Sequence, residues 1–530
     1  MRFFSKSIPL PPNGWLLSGM LAFYVLAGLI GKDPWQGEDA THINIAWQIL
    51  NSGDFFHLQL AGRDVFVPPL YYWSAALTGF VFSPFLPAHD AIRLASGFWV
   101  AASLAGLYYA SREIFGKDFA AAAPMLLAGS LGLIIHAHDA QPVLIALTAH
   151  TAAIGGIAAF VRKPKLGGIF YGLALFSCLL GAGIAPTLPI FLLSFLAFFC
   201  PNPKNALLGL SMGLGIGLVL IALSFWAIDY FAPFYLSSWL QNDSEFLTQP
   251  FAFQHLQNAL EFLALLPWFA FPALPLAVYA LWRFPKQFVS YLGIIPLCLW
   301  LLSSFLLAWS AESGELPALL LLPSLSLLAT PAALSLKRGA SALFDWFSIC
   351  SFSLFCALAW ICWSAMHFGF PAKLSERIFV LRAGFSPELE WFAVFCALLG
   401  TFFWFWLIRT LPRNPYKALT HWTLGLTAFW FISALLILNW FNYGKSYRPM
   451  AEHISVLLSN SNPCLAEFQL TQAQLAAFSY FIHLNPDAMD SPKGKACPYL
   501  LTTHTFDFPI VWQGFRAGKR REVFYLYQRF

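Results

Sequence analysis

The chain has 530 residues, 59% of them hydrophobic and only 10% charged, against about 25% charged in a typical soluble domain. One aqueous core cannot hide that much apolar surface, so lipid is the solvent for most of the molecule. The formal net charge of +5 is small for this length, and a nucleic-acid partner is not expected.

The N-terminus, Met1 to Lys6, leads into an apolar run, Gly14 to Gly31. No small-residue cleavage site ends this run, so it reads as a retained first span, not a signal peptide. A polar, acidic stretch follows directly, Asp33-Pro34-Trp35-Gln36-Gly37-Glu38-Asp39-Ala40-Thr41-His42. From His42 to Leu50 the pattern suits a helix lying in the membrane interface. Pro69 to Phe85 is apolar but starts with two prolines and ends in Pro84 and Pro87. It reads as a shallow or re-entrant helix, which makes residues 32–93 one long external loop.

About thirteen apolar runs are long enough to cross roughly 30 Å of hydrocarbon. They centre near Tyr24, Ala105, Leu127, Ile154, Leu175, Leu196, Ile216, Ala273, Leu301, Leu325, Phe355, Leu399 and Phe429. With the N-terminus in the cytoplasm, Arg112, Arg162, Lys163, Lys204, Arg283, Lys337 and Arg409 all fall inside, as the positive-inside rule asks. The glycines from Gly209 to Gly217 lie within a span and suggest close helix packing. A second long external segment runs from Asp229 to Asn258 and holds Asp243, Glu245 and His255.

Composition turns polar at Asn442. Residues 1–441 are therefore expected to form the membrane domain and 442–530 a small external α/β domain. In it, helices are expected from Arg448 to Leu458 and from Gln472 to Leu484. Strands are expected at Cys464 to Phe468, Pro498 to Thr502 and Glu522 to Tyr527. Seven of the nine cysteines lie in apolar runs. Cys464 and Cys497 instead share the external domain, where an oxidising compartment favours a disulfide between them.

Glu38 and Asp39 follow the first span, and Asp139 lies between the third and fourth, in His136-Ala137-His138-Asp139-Ala140-Gln141-Pro142. All three emerge on one face. Acids held where the chain leaves the bilayer are costly unless they serve a function. Two separated acidic sites suit group transfer: one carboxylate takes a proton, and another holds a cation or sugar hydroxyls.

The stretch Glu38 to Asp54 resembles the acidic loop and interface helix of the bacterial aminoarabinose transferases that modify lipid A. The related protein O-mannosyltransferases share the acidic pair. Leu60-Ala61-Gly62-Arg63, Pro68-Pro69-Leu70-Tyr71-Tyr72-Trp73, Ala91-Ile92-Arg93-Leu94-Ala95-Ser96 and His138-Asp139 continue the likeness through Thr148. The resemblance implies a GT-C glycosyltransferase of the bacterial inner membrane. Its donor would be a sugar on polyprenyl phosphate, and its acceptor an envelope lipid such as lipid A, another glycan or a protein.

This chain departs from that pattern. The acids are in the order Glu38, Asp39, so either could be the base. Phe66 and Val67 stand where the family has Glu-Lys, Gly181 to Pro186 lacks a lysine, and Glu315 replaces another. Arg63 and Arg93, with Lys32 behind them, are then the candidates for the donor phosphate. A divalent metal ion is the one cofactor the sequence raises, with His255 as its candidate ligand. The alternative from another class is a polytopic transporter or lipid flippase, which calls for ionisable residues at mid-membrane depth.

Overall fold

The computed structural model describes residues 14–248, 253–309, 314–458, 464–516 and 522–530. Every expected apolar run contains helix. Among the described residues, eight helices are long and apolar enough to cross a membrane: Ala88–Phe115, Pro164–Ala182, Pro203–Phe231, Tyr291–Trp309, Glu315–Ser335, Arg338–Phe368, Trp391–Thr410 and Lys417–Lys445. Gln257–Phe269 and Ala273–Arg283 pass the same test only as a pair, bent by 98°. Leu17–Leu26, Val143–Ala159 and Ile184–Phe199 are shorter apolar helices. The run around Leu127 is two helices, interrupted where Ser130 takes an extended conformation with ψ 128°.

Six elements at the start of the chain build the site. They are α1 (Gly14–Leu26), α2 (Glu38–Ser52), α3 (Leu70–Phe82), α4 (Ala88–Phe115), α5 (Ala122–Ala128) and α6 (Leu131–His136). Gly37, at φ 102°, turns the chain into α2, and Gly53 ends the helix in the left-handed conformation at φ 71°. Glu38 and Asp39 occupy its first turn, where the helix dipole favours negative charge. The 13 residues of α3 reach only about 20 Å, less than the hydrocarbon thickness. This helix runs antiparallel along the first half of α4. Trp99 Nε1 donates to Ser74 Oγ at 3.0 Å, Tyr71 and Ser96 hydroxyls meet at 2.7 Å, and Thr78 Oγ1 donates to the Ile92 carbonyl at 3.4 Å.

Deeper in the bundle, a Cβ on Gly168 would come within 2.7 Å of the Gly209 carbonyl, and one on Gly172 within 2.5 Å of the Gly213 carbonyl. These glycines let the backbones of two spans touch.

The last span continues to Lys445, so the expected boundary at Asn442 falls inside a helix. Beyond it, Arg448–Leu458 and Gln472–Ile482 pack against a five-stranded sheet. A two-stranded hairpin in the first loop supplies β1 (Gln59–Leu60) and β2 (Arg63–Asp64). The sheet itself contains β3 (Leu465–Phe468), β4 (Asp487–Ala488), β5 (Tyr499–Thr502), β6 (Ile510–Arg516) and β7 (Glu522–Gln528), in the order β4-β3-β5-β7-β6. The β3 strand is parallel to β4 and β5; β7 is antiparallel to β5 and β6. Two of these strands, β4 and β6, were not expected from sequence. A disulfide joins Cys464 to Cys497, with Cα atoms 4.8 Å apart.

The small domain is docked firmly. Ile43, Trp47, Tyr71 and Tyr72 of α2 and α3 share one buried apolar cluster with Ala476 and Tyr480 of the domain. The buried Asn44 side chain donates to the Ala476 carbonyl at 3.0 Å and accepts from the Ala61 amide at 2.8 Å.

Candidate active site at the domain-facing end of the bundle

A cleft of about 500 Å³ opens between the start of α2, the loop after α6 and the end of the last span. Its polar lining is Lys32, Trp35, Glu38, Asp39, His136, Asp139, Gln141 and Lys445; Leu316, Trp430, Leu438 and Phe441 supply an apolar side. The acids named from the sequence thus meet in one cavity, although Asp139 is far from Glu38 along the chain.

Glu38 and Asp39 are neighbours with different surroundings. Asp39 is buried, and all four of its acceptor positions are taken. Oδ1 accepts from the Ala140 amide at 2.7 Å and from Arg93 Nε at 3.4 Å. Oδ2 accepts from Arg93 Nη2 at 3.1 Å and from the Trp35 amide at 3.2 Å. Burial works to raise the Asp39 carboxyl, but the Arg93 and Lys32 charges outweigh it and hold the group below the usual carboxylate range. Because its bond to Ala140 adjoins Asp139, Asp39 fastens the second acidic loop to α2. Glu38 turns the other way. Its side chain is 62% exposed, and its ion-pair partner is His42 at 3.8 Å. The hydrogen bond from His42 holds the Glu38 carboxyl below its ordinary value, against the desolvation of partial burial.

Arg93 is fully buried and uses all five of its donors within the protein. They go to Asp39, to Asp90 at 3.1 Å, and to the carbonyls of Lys32 at 2.7 Å and Asp33 at 3.2 Å. Arg63 lies outside the cleft and pairs with Glu467 of the small domain at 2.5 Å. Neither arginine lines the cavity: Arg93 is fully engaged within the protein, and Arg63, 41% exposed, meets the small domain through Nη2.

The cations that do line the cleft are lysines. Lys32 pairs with Asp139 and places its Nζ 4.2 Å from the Trp35 ring centroid. Lys445 Nζ is also 4.2 Å from that ring and 5.6 Å from the Phe441 ring. Among the described residues Lys445 makes no ion pair with a carboxylate, and it lines the cavity. The sequence reading assigned Lys445 to the soluble domain. The signal that could have found it is a lysine one helical turn past an aromatic pair, Trp440-Phe441, at the mouth of a span.

His136 stands between two acids. Its Nε2 is 3.2 Å from Glu315 Oε2, and its Nδ1 is 3.9 Å from Asp139 Oδ2. The carboxylates face opposite ring nitrogens, so the three groups cannot converge on one ion as a chelate. Among the described residues, the one His/Cys/Asp/Glu group close enough to hold a metal is Cys464, Asp487 and Cys497, whose sulfurs are joined in the disulfide. His255 belongs to the helix Phe253–Phe269, and its side chain lies outside the described residues. The cleft residues described do not fit a metal centre.

The positions that depart from the family pattern are occupied by structural contacts. Val67 bonds Tyr235 of the second long loop through its carbonyl at 2.7 Å, and the Phe66 ring is 5.6 Å from that of Tyr235. Asp243 accepts from the Ile184 amide at 2.6 Å, beside Gly183.

No protein-family model and no curated protein sequence matches the chain. In three dimensions it is similar to the crystal structure of ArnT from Cupriavidus metallidurans bound to undecaprenyl phosphate, with a TM-score of 0.65 at 15% identity over 97% of this chain and 98% of that one. The apo form of the same protein matches with the same TM-score of 0.65 at 14% identity. The archaeal oligosaccharyltransferase AglB from Archaeoglobus fulgidus matches at 0.48 and 11% identity, over 93% of this chain and 70% of that one.

The fold is GT-C. The expected arrangement, a bundle of apolar helices followed by a small C-terminal α/β region, is the observed one. Among the described residues, the cluster of Asp345 with His421 and Lys417 lies in the first third of its helices, at the end of the bundle opposite the cleft. It does not occupy the mid-membrane position that a transport pathway calls for.

Proposed function

We propose that this chain is a membrane glycosyltransferase that moves a sugar from a polyprenyl-phosphate carrier to an envelope acceptor. The observation that carries this reading is the meeting in one cleft of an open carboxylate, Glu38, with Asp139 and with Lys445, which makes no ion pair among the described residues. An apolar groove of about 450 Å³ lies between α1, Trp391–Thr410 and Lys417–Lys445, the last of which also borders the cleft; Met20, Phe23, Phe403, Leu424 and Phe431 line it. A polyisoprenoid tail suits that groove, and Lys445 suits the phosphate at its head, because a phosphate in a partly dry site needs a cationic partner. The undecaprenyl phosphate bound to ArnT supports this choice of carrier.

In this mechanism the acceptor oxygen attacks the anomeric carbon from the face opposite the phosphate. Its proton passes to Glu38, the carbon–phosphate-oxygen bond breaks, and the polyprenyl phosphate leaves with that electron pair beside Lys445. Configuration at the anomeric carbon inverts. Asp139 and its partner Lys32 shape the field around the reacting carbon, and Asp39 with Arg93 positions both loops. No step uses a metal. The bias of lysine and arginine toward the opposite ends of the spans supports a bacterial inner membrane setting with the cleft facing the periplasm.

The test is mass spectrometry of envelope lipids, glycans and proteins from cells with the chain, without it, and with Glu38→Gln. A sugar that appears with the wild type and disappears with the variant is the expected result. Identical envelopes in all three would remove the reading.

A further inference from the structure

A second cavity lies at the end of the bundle opposite the cleft. It holds about 270 Å³, room for roughly nine waters at about 30 Å³ each. Its walls include residues 113–116, Arg162, Pro201 and residues 287 and 290–293. Each of these stretches adjoins the end of a span: Ala88–Phe115 ends there, and Pro164–Ala182, Pro203–Phe231 and Tyr291–Trp309 begin there. The cavity therefore lies at the depth of lipid headgroups. Phe199 and Val289, close in sequence to the lining Pro201 and Ser290, are 76% and 79% exposed, an apolar surface for acyl chains. The polar lining has two signs. Arg162 brings the positive charge. Glu113 brings the negative one from the last turn of α4, with its side chain only 5% exposed. The helix carbonyls already carry partial negative charge there, so a buried carboxylate is disfavoured unless cations meet it. Lys163 meets Oε1 at 2.6 Å but does not line the cavity, and the carboxylate has lone pairs for a second cation. Gln287 adds a buried side-chain oxygen, Oε1, with no hydrogen-bond partner among the described residues. A buried acceptor without a donor is costly, so the cavity calls for an N–H or O–H group.

We propose that this cavity binds the headgroup of a phospholipid carrying a primary amine, the phosphoethanolamine type, in the leaflet opposite the cleft. The ammonium donates to Glu113 and to Gln287 Oε1, and the phosphate lies against Arg162. An ammonium has three N–H donors, enough for both acceptors. A choline headgroup has the same two charges but no N–H, so it leaves Gln287 Oε1 without a donor. A glycerol headgroup has hydroxyl donors but no cation for Glu113. The site does not depend on the transferase reading and stands or falls by itself.

The experiment is native mass spectrometry of the full-length protein released from nanodiscs that hold phosphatidylethanolamine, phosphatidylcholine and phosphatidylglycerol in equal amounts. The expected result is one phosphatidylethanolamine retained after other lipids are stripped, about fivefold or more over either competitor. Equal retention of all three, or no retained lipid, overturns the proposal. Variants place the lipid. Glu113→Gln, Gln287→Leu and Arg162→Gln should each lower its retention about fivefold or more. Lys163→Ala breaks the same ion pair as Glu113→Gln but leaves the carboxylate to the ammonium, so retention should hold or rise. Gel filtration in detergent checks that every variant is folded. Equal losses from folded Glu113→Gln and Lys163→Ala proteins would mean that the pair only holds helices together, and the headgroup site would be lost.

Discussion

The two ends of the helical bundle handle charge differently. At the end opposite the small domain, the pairs are separate and of mixed exposure: Lys163, 47% exposed, meets Glu113 at 2.6 Å beside an open cavity, and Asp345 meets the buried His421 and Lys417. At the domain end, charges are joined across the whole chain, and the Arg93 group among them is fully buried. Arg448 clamps Asp33 through three contacts of 2.5 to 3.1 Å, Arg63 holds Glu467, and Arg93 holds Asp39 and Asp90. Asn442, in the last span, bonds the Asp33 amide at 3.2 Å and Trp35 Nε1 at 2.8 Å. Buried ion pairs add little net stability compared with apolar packing, yet breaking one is expensive. Such a network at one end only marks the place where geometry, not anchoring, is at stake.

The sharpest way to break this comparison is to remove one cation from each end. Arg93→Ala leaves Asp39 and Asp90 buried without their partner and should cost about 3–5 kcal/mol. Lys163→Ala should cost about 1 kcal/mol, because its pair is reached by water. Thermal unfolding of the purified protein in one detergent measures both, and equal losses would erase the distinction between the ends. Within the domain end, Glu38→Gln should lower transfer about 10²-fold or more while leaving the unfolding midpoint nearly unchanged, because that side chain is open and its loss strands no buried charge. Asp39→Asn should do the reverse in part, lowering stability along with rate. If the two substitutions had the same stability cost, the division between a reacting acid and a positioning acid would fail.

Much of this end was legible in the sequence, and the reason is local chemistry. Acids directly after a span are anomalous wherever they occur, so Glu38, Asp39 and Asp139 stood out, and each of the eight described helices long enough to cross a membrane falls on one of the thirteen expected runs. The division of labour between Glu38 and Asp39 was not legible. Adjacent residues on a helix point about 100° apart, and only the position of Ala140 and Arg93 decides which one is enclosed. The pairing of Arg63 was hidden for a related reason. Its partner Glu467 is 404 residues away, and no spacing rule reaches that far. Lys445 was hidden by a boundary drawn on composition at Asn442, although the helix carries on to Lys445. The interruption at Ser130 was also invisible, since hydropathy stays high across it while the backbone turns.

Two smaller effects sharpen the contrast among the cations. Lys445→Gln removes the lysine that the cleft leaves unpaired and should weaken binding of undecaprenyl phosphate, measured in nanodiscs, about tenfold or more. Stability should hold, since no carboxylate loses its partner. Arg63→Gln should leave that affinity within about twofold, because the guanidinium lies outside the cavity and serves the domain contact. Equal effects from both would return Arg63 to the phosphate site.

The smallest expected effect concerns pH and tests whether Glu38 is the base. A base must be deprotonated, so the transfer rate should fall on the acid side as pH drops through the Glu38 value, which lies below the ordinary glutamate value of about 4.3 because His42 bonds the charged form. His42→Asn removes the largest influence lowering it. The carboxyl should then protonate at higher pH, and the acid limb should move upward. At pH 7 the group stays ionised in both proteins, so their rates there should agree within about twofold while the ratio of rates at pH 5 and pH 7 falls in the variant. A limb that stays in place when His42 is replaced would mean that another group controls it, and the choice of Glu38 over Asp139 as the proton acceptor would be lost.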